Sequence, residues 1–597
     1  MNEFISSIFV RPKQNGEFRV ILNLKHLNEF IPYRHFKMDT LESAINLLVK
    51  GCYMASIDIR HAYHTIPMAQ EHQKYLRFRW KGKIFQYTCL PFGLASAPRI
   101  FTKILKPVLA KLRMLGLVNT SYIDDILLIG NSEYECDQNV QQTKVALEKL
   151  GFIIHKKKSQ FKPTKQITFL GNNINTENMT IELTDGKKET IYKECKLLYC
   201  KYKAKIREVA RVIGLMVSSF SAIDFGPLHY RVLEREKIKA LKNVQGNFEC
   251  FMIITKEMKQ ELSWWIENVH KQIRIITRGN PEITIKTDAS LTGWGATLDG
   301  LETGGHWTYE ERTNHINYLE LLAILLALRS FSDRIQNKNV KIMSDNTSAV
   351  AYINNMGGIK SEKCNSVALV IWNWCVENNV WIVCTHIPGI DNIEADRLSR
   401  ELNEQIEWQL DHDIFLEVCS KLDTPEIDLF ASRINTQLDT FCSWRKDPEC
   451  TFVDAFSLNW GNFNTVYIFP PFSLLNSCIR KIREDQARGI IIAPLWPTQI
   501  WFPRLMQILI KNPILLPKKN RLLTNPCTKE LHPLRRKLVL IACQVSGRCT
   551  ENEVFLRKQP ELSWNHGNPE LKNNITLSSR DGFSTAVGRQ LIQFHQL

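Results

Sequence analysis

Over the first 180 residues, short runs of apolar side chains at 5–10, 18–24, 53–59 and 126–129 alternate with stretches of helical spacing. Apolar runs of that length, bounded by polar turn residues, predict strands, and their interleaving with helices predicts a mixed α/β unit. From 181 to 280 the period changes. This stretch is Lys-rich and its apolar residues recur at helical spacing, as in Ile206-Arg-Glu-Val-Ala-Arg-Val-Ile-Gly-Leu-Met-Val217, with few strand-like runs. A second α/β pattern occupies 281–402. A region rich in Trp, Phe and Pro follows over 403–546, and 547–597 turns polar, which predicts a tail or linker. No internal repeat or low-complexity tract interrupts this order.

Composition changes the picture in three places. A chain of 597 residues with 44% hydrophobic and 10% aromatic side chains can bury several cores, roughly three to five by ordinary domain size. The net charge of +16 is unevenly spread: the first 280 residues carry +18, while 281–402 hold five more acids than bases. A basic first half suits a surface that tracks phosphates, and an acidic insert suits a site built for cations. The sixteen cysteines show no C-x-x-C spacing, so zinc knuckles are not expected and the thiols read as reduced and buried. No signal peptide is visible, and the longest apolar run, 319–328 with Glu320 inside it, is far too short to span a bilayer. The expectation is a soluble, intracellular protein without a membrane partner.

The strongest local signal is Tyr122-Ile-Asp-Asp125, set between Asn119-Thr-Ser and Ile126-Leu-Leu-Leu-Ile129-Gly130. Two acids between two strand-like runs predict a hairpin whose tight turn holds the carboxylates. Upstream, Tyr53-Met-Ala-Ser-Ile-Asp58 is another strand-like run ending in an acid. Carboxylates gathered at strand ends repel one another unless cations neutralise them, and a lone Asp-Asp pair is more often just a polar turn. The order of the other motifs decides the matter. Asp58…Tyr63, Leu90-Pro-Phe-Gly-Leu-Ala-Ser-Ala-Pro98, Tyr122-Ile-Asp-Asp125, Gly151…Lys158 and Phe169-Leu-Gly171 together resemble the successive motifs of reverse transcriptases, over nearly all of residues 5–175.

That resemblance implies a right-hand polymerase with fingers and palm over 1–180 and a helical thumb or connection over 181–280. Asp58, Asp124 and Asp125 would bind two Mg²⁺ ions, about 4 Å apart in such sites, with Mn²⁺ as an alternative. The resemblance makes Tyr63 the aromatic gate against a ribose 2′-hydroxyl. Phe92 and Gly93 fall in the loop against nucleotide and template, and Lys13 and Arg19 are the basic residues on the triphosphate. Phe169, Leu170 and Gly171 match the primer grip. Lys158 is a candidate general acid for pyrophosphate, although the adjacent Lys156 and Lys157 make a solvated basic face an equal reading. The pattern begins almost at Met1, where the family has further fingers sequence, so a fragment or an internal start is expected. RNA template, DNA primer and dNTPs are the implied partners.

Within 281–402, Asp288, Glu320, Asp345 and Asp396 each sit beside an apolar strand or on an amphipathic helix. The order strand, helix, strand, helix resembles ribonuclease H. It implies a second pair of Mg²⁺ ions and cleavage of RNA in an RNA–DNA hybrid. Asp391 is a rival for the fourth ligand, and His386 reads as an ordinary strand residue. Over 403–546, Glu426-Ile-Asp-Leu-Phe, Tyr467-Ile-Phe-Pro-Pro-Phe472 and Ile490-Ile-Ile-Ala-Pro-Leu-Trp496 resemble an adenine-N6 DNA methyltransferase. Phe469 replaces the polar residue that would hold the target amine, and no glycine-rich loop is seen, so methyl transfer and S-adenosylmethionine are doubtful. Phe472 and Trp496 read as base-stacking platforms or as core. The three segments in this order resemble the polyprotein of DIRS-like retrotransposons, which implies a tyrosine recombinase and a nucleocapsid-like protein from the same element. The expected fold is thus multidomain α/β: right-hand polymerase, ribonuclease H-like domain and methyltransferase-like domain. The alternative is a catalytically inactive nucleic-acid-binding relic, against which the seven intact acids stand.

Overall fold

In the first unit, a hairpin of β1 (Ile8–Pro12) and β2 (Phe18–Leu22) precedes a central sheet built from β3 (Tyr53–Arg60), β4 (Val118–Tyr122), β5 (Asp125–Gly130) and β6 (Gln160–Thr164). Their spatial order is β6-β3-β5-β4, and all neighbours run antiparallel. The unbroken apolar run of β5 is explained by burial on both faces. Ile126 and Leu128, with Ala55, Ile57 and Ile59 of β3, face α1 (Ala97–Met114) and α2 (Glu133–Lys149). Leu127 and Ile129, with Met54, face the opposite core. The alternation along one strand thus separates two hydrophobic clusters.

The second of those clusters is closed by a small antiparallel sheet, β7 (Gln166–Phe169), β8 (Asn172–Asn175), β9 (Thr180–Leu183) and β10 (Arg274–Ile275), and by four helices. These are α3 (Asp185–Tyr199), α4 (Ile206–Val217), α5 (Arg231–Asn243) and α6 (Lys256–Asn268). Helix α4 covers the twelve residues whose spacing predicts it, and Val209, Val212, Ile213 and Met216 are its buried stripe. Trp265 of α6 is fully buried and its indole N–H donates to the His229 carbonyl at 2.8 Å, so its one polar atom is satisfied.

The second unit begins with a five-stranded sheet of β11 (Ile283–Ala289), β12 (Gly293–Leu298), β13 (Leu301–His306), β14 (Asn339–Ser344) and β15 (Trp381–His386). The order is β13-β12-β11-β14-β15, antiparallel through β13-β12-β11 and parallel through β11-β14-β15. Helix α7 (Ile316–Ser330) is buried on nearly all sides from Leu319 onward, which is why its sequence is an apolar run rather than an amphipathic stripe. Helix α8 (Glu362–Glu377) packs against α7, and α9 (Ile393–Arg400) crosses β12. That crossing requires Gly295, because a Cβ there would stand 2.4 Å from the Ala395 carbonyl oxygen.

The remaining sheet contains β16 (Ile427–Asp428), β17 (Val466–Ile468), β18 (Arg488–Pro494), β19 (Ile514–Leu515), β20 (Leu540–Ser546) and β21 (His595–Gln596). The order is β16-β17-β18-β20-β19-β21, with β16, β17 and β18 parallel. Here the expectation of a polar tail over 547–597 is corrected. Cys549–Arg557 is a helix with Phe555 buried, β21 pairs in parallel with β19, and Leu591, Ile592 and Phe594 enter the core. The apolar residues of this stretch are too few and too widely spaced to register as elements until a preformed sheet offers them an edge.

This computed structural model describes residues 4–12, 18–401, 408–562 and 584–597. The chain divides into the units Met1–Arg278 and Gly279–Leu597. Among the described residues no cysteine forms a disulfide. Among the described residues no helix is long and apolar enough to cross a membrane.

Candidate functional site

The first acidic centre rests on β3 and β5. Asp58 and Asp125 face each other as a cross-strand pair, and Tyr122 pairs with Asp125 to leave a two-residue turn, Ile123-Asp124. Ile123 has φ +55°, a left-handed conformation unfavourable for a β-branched residue. The turn is tied down because the Ile59 N–H donates to the Asp124 carbonyl at 2.9 Å. Asp58 is anchored from the other side, its N–H donating to Ser159 Oγ at 3.0 Å and its carbonyl accepting from the His155 N–H at 2.9 Å. Ser159 is a supporting residue that sequence reasoning missed. Lys158 Nζ stands 3.8 Å from Asp58 Oδ2 with most of its side chain in solvent. Among the three lysines 156–158, it is the one with this contact.

Burial raises the Asp125 carboxyl to about 6, helped by the charges of Asp124 and Asp58 and opposed by Lys158. Asp124 is also raised, mainly by burial, with Arg19 and Lys158 pulling it back. These three acids do not close into a tight metal-ligating group among the described residues. They form an open edge, partly neutralised by the protein's own cations.

Around that edge lie most of the expected nucleotide residues. Tyr63 is buried, with its ring 5.2 Å from Phe92 and 5.8 Å from Phe101. Its phenol is pushed up to about 12 by burial and then by Asp124, with Arg19 opposing. Arg19 lies over the Phe92 ring at 4.8 Å. Gly93 has φ +108°, and a Cβ there would stand 2.1 Å from the Leu22 carbonyl oxygen, so the loop can approach β2 only through glycine. Asn28, absent from the sequence-based set, clasps this loop: its amide donates to the Gly93 carbonyl at 3.0 Å and its Oδ1 accepts from the Ala95 N–H at 2.9 Å. Lys13 lies outside the described residues.

The primer-grip candidates form the β7–β8 turn. Leu170 and Gly171 both have positive φ, while the Phe169 side chain is buried in the core. A primer could therefore meet the turn at Leu170 and Gly171 but not at the Phe169 ring.

The second centre is tighter. Asp288 at the end of β11, Glu320 on α7 and Asp345 just after β14 bring ligand oxygens within 4.8 Å of one another. Glu320 is buried, its Oε2 has no hydrogen-bond partner, and its carboxyl is raised to about 9 by burial, then by Asp288 and Asp345. Asp288 is raised as well, mainly by burial, while Ser399 Oγ donates to its Oδ2 at 2.7 Å. Buried carboxylates with an orphaned oxygen are what a divalent cation would satisfy. Asp396 stands apart from this trio: its Oδ1 pairs with Arg400 Nε at 2.7 Å and its side chain is 42% exposed. Asp391 is exposed on the turn Gly389–Asp391, and His386 ends β15 opposite Ser344.

At the carboxyl ends of β16 and β17 lies an open cleft of about 670 Å³. Phe430, Phe456, Phe469 and Phe472 contribute to its lining. The Phe472 ring stands 5.4 Å from that of Trp496, and both also pack against the core. Such crevices at the ends of parallel strands are where open α/β sheets bind ligands.

Residues 11–174 match the family model for Reverse transcriptase (RNA-dependent DNA polymerase). The Enzymatic polyprotein of Figwort mosaic virus (strain DxS) is 25% identical over 409 residues, covering 66% of this chain and 57% of that protein. The Transposon Tf2-3 polyprotein of Schizosaccharomyces pombe (strain 972 / ATCC 24843) is 23% identical over 419 residues, covering 66% of this chain and 28% of that protein. The chain thus spans less than two thirds of either relative. A solved foamy viral protease-reverse transcriptase in complex with RNA/DNA hybrid aligns with a TM-score of 0.40 at 18% identity, covering 64% of this chain and 50% of that one.

Proposed function

We propose that this chain, whose residues 11–174 are a reverse transcriptase domain of the kind carried by viral and retrotransposon polyproteins, copies RNA and DNA templates into DNA and cleaves the RNA strand of the resulting hybrid. The observation that carries the polymerase reading is the facing pair Asp58 and Asp125, with Asp124 in the adjoining turn and Arg19, Tyr63, Phe92 and Gly93 around it. The nuclease reading rests on the convergence of Asp288, Glu320 and Asp345 around an unsatisfied Glu320 oxygen.

Mg²⁺, or Mn²⁺ in its place, would be held by Asp58, Asp124 and Asp125 in one centre and by Asp288, Glu320 and Asp345, joined by Asp396, in the other. Bound there, such ions supply Lewis-acid charge stabilisation for phosphoryl transfer. The chain's own residues do the rest. Arg19, with its forked donors, and Lys13 hold the triphosphate. Tyr63, braced by Phe92 and Phe101, limits the room beside the sugar. Leu170 and Gly171 steady the primer. Lys158, already beside Asp58, offers a proton to the departing pyrophosphate.

In this reading residues 1–180 are fingers and palm, 181–280 thumb or connection, and 281–402 a ribonuclease H-like domain that recognises the RNA–DNA hybrid. The sheet domain after 403 is methyltransferase-like. Phe469 leaves that domain without the polar grip on a target amine, so methyl transfer and S-adenosylmethionine are not assigned to it. The order of segments suits a DIRS-like element, whose tyrosine recombinase and nucleocapsid-like protein would be separate products.

Primer extension on an end-labelled RNA template with Mg²⁺ and dNTPs tests both activities together. Asp125→Asn is expected to abolish DNA product and keep template cleavage, and Glu320→Gln the reverse. A wild-type chain that does neither would overturn the catalytic reading in favour of a nucleic-acid-binding relic.

A further inference from the structure

Helix α7, which carries Glu320, is held by one segment of the C-terminal sheet domain at two places, the connection that leads into it and its far end. At its start, the Arg433 guanidinium donates from Nη1 to Glu311 Oε1 at 3.0 Å and from Nη2 to Glu311 Oε2 at 2.9 Å. The same Nη2 also donates to the His306 carbonyl at 3.1 Å. Glu311 lies in the connection between β13 and α7, and its Oε2 also accepts the Thr308 N–H at 2.8 Å. Both partners are largely buried, with side chains 14% and 20% exposed. At the far end of α7, Arg329 pairs with Glu449, and Lys446 Nζ reaches Asp333 of the next short helix at 3.2 Å. Thr303 of β13 donates to the Lys446 carbonyl. The two grips are joined, because the Arg433 N–H donates to Asp447 Oδ2 at 2.6 Å.

The mechanical need is plain from the geometry. Glu320 is the one of the three carboxyl groups delivered by a helix rather than by the sheet, so its oxygens stay with those of Asp288 and Asp345 only while α7 keeps its position. Apolar packing is non-directional, and a helix fixed by it alone could slide or rotate. The buried, bidentate Arg433–Glu311 pair opposes such movement most, while the more exposed pairs at the far end add little.

We propose that the segment from Arg433 to Glu449 braces the second acidic centre, with Arg433 as the positioning residue that holds the start of α7 and so the Glu320 carboxylate. The sheet domain after 403, read as methyltransferase-like, thereby acts as a structural part of the nuclease centre. This inference rests on the reading of Asp288, Glu320 and Asp345 as a divalent-cation centre.

The test uses the full chain and two readouts. Hydrogen exchange of α7 amides reports the brace without any metal. Mn²⁺ binding, followed by electron paramagnetic resonance in an Asp124→Asn, Asp125→Asn background, reports the centre. Arg433→Ala should speed exchange in the first turns of α7 at least tenfold and weaken Mn²⁺ binding by less than the roughly tenfold lost when a direct hydrogen-bond partner of a metal ligand is removed. The exchanged pair Arg433→Glu with Glu311→Arg should recover most of both, whereas Arg433→Lys should recover only part. Unchanged exchange in α7 of Arg433→Ala would overturn the proposal. If that variant does not fold, Glu311→Gln carries the same comparison. Mn²⁺ binding that survives Glu320→Gln would refute the cation reading alone, since exchange still decides the brace.

Discussion

The two acidic centres solve the same electrostatic problem in opposite ways. The first places its carboxylates along a strand pair and a turn, leaves the edge open, and brings its own cations: Lys158 beside Asp58, and Arg19 close enough to pull on Asp124. The second gathers three carboxylates from two strands and a helix, buries Glu320, and leaves an oxygen without a partner. Arg400, whose direct partner is Asp396, reaches Asp288 only at longer range and offsets little of the burial that raises it. An open, partly neutralised edge suits a site where the incoming triphosphate carries charge of its own. A closed trio with no ion pair of its own and an unpartnered Glu320 oxygen leaves room for an ion, and its helix must be held in place meanwhile.

The comparison can be broken most sharply at Gly93. Gly93→Ala puts a methyl against the Leu22 carbonyl, displacing the loop that carries Phe92. It should lower dNTP incorporation about 100-fold, as misplacement of a positioning element does, with hybrid cleavage unchanged. Equal loss of both activities in single-turnover assays would show a folding defect instead.

The second centre should reveal itself in stability. Glu320 is raised in the folded state, so the folded chain binds a proton more tightly than the unfolded one between the ordinary glutamate range and about 9. Stability in EDTA should therefore fall as pH rises through that window. Mg²⁺ should restore it most at the alkaline end, and Glu320→Gln should flatten the pH dependence. Calorimetric melting of the second unit's transition should show a difference of a few degrees; a wild-type curve as flat as the variant's would remove the claim of a cluster with no ion pair of its own.

The smallest effect belongs to the first centre. Lys158 lowers the Asp125 carboxyl, so Lys158→Gln should move the acidic limb of the pH–rate profile for DNA synthesis upward. The shift should be under about one pH unit, because the lysine is mostly solvent-exposed. A fall in rate at all pH values with no shift of the limb would favour the general-acid role over mere charge balance.

Most of the acids stood out in the sequence because they flank an apolar strand or sit in an apolar helix, and such elements advertise themselves by period. The β5 run and the α4 stripe were legible for the same reason. What escaped were contacts between residues distant in the chain. The Asn28 clasp on the Gly93 loop and the Arg433–Glu311 pair have no local signature, since an Asn or an Arg in a loop looks alike whether it meets water or a partner. Asp396 shows the converse limit. Its local motif fits, yet it lies outside the 4.8 Å group and pairs with Arg400 four residues on, although its charge still reaches Asp288. The stretch after 547 was misread because its helix and edge strand borrow their apolar partners from a sheet that forms far upstream.

The left-handed Ile123 has a consequence for what its turn can tolerate. A β-branched residue at φ +55° holds the fold roughly 1 kcal/mol or more above what Gly or Asn would allow in the same turn. Substitution by either would make the hairpin more comfortable while loosening the backbone that aims Asp124. An easy turn and a fixed Asp124 carboxylate therefore make opposite demands on this position. Ile123→Asn should raise the melting temperature of the first unit while lowering DNA synthesis, and a variant that gains both would show that the strain aims nothing.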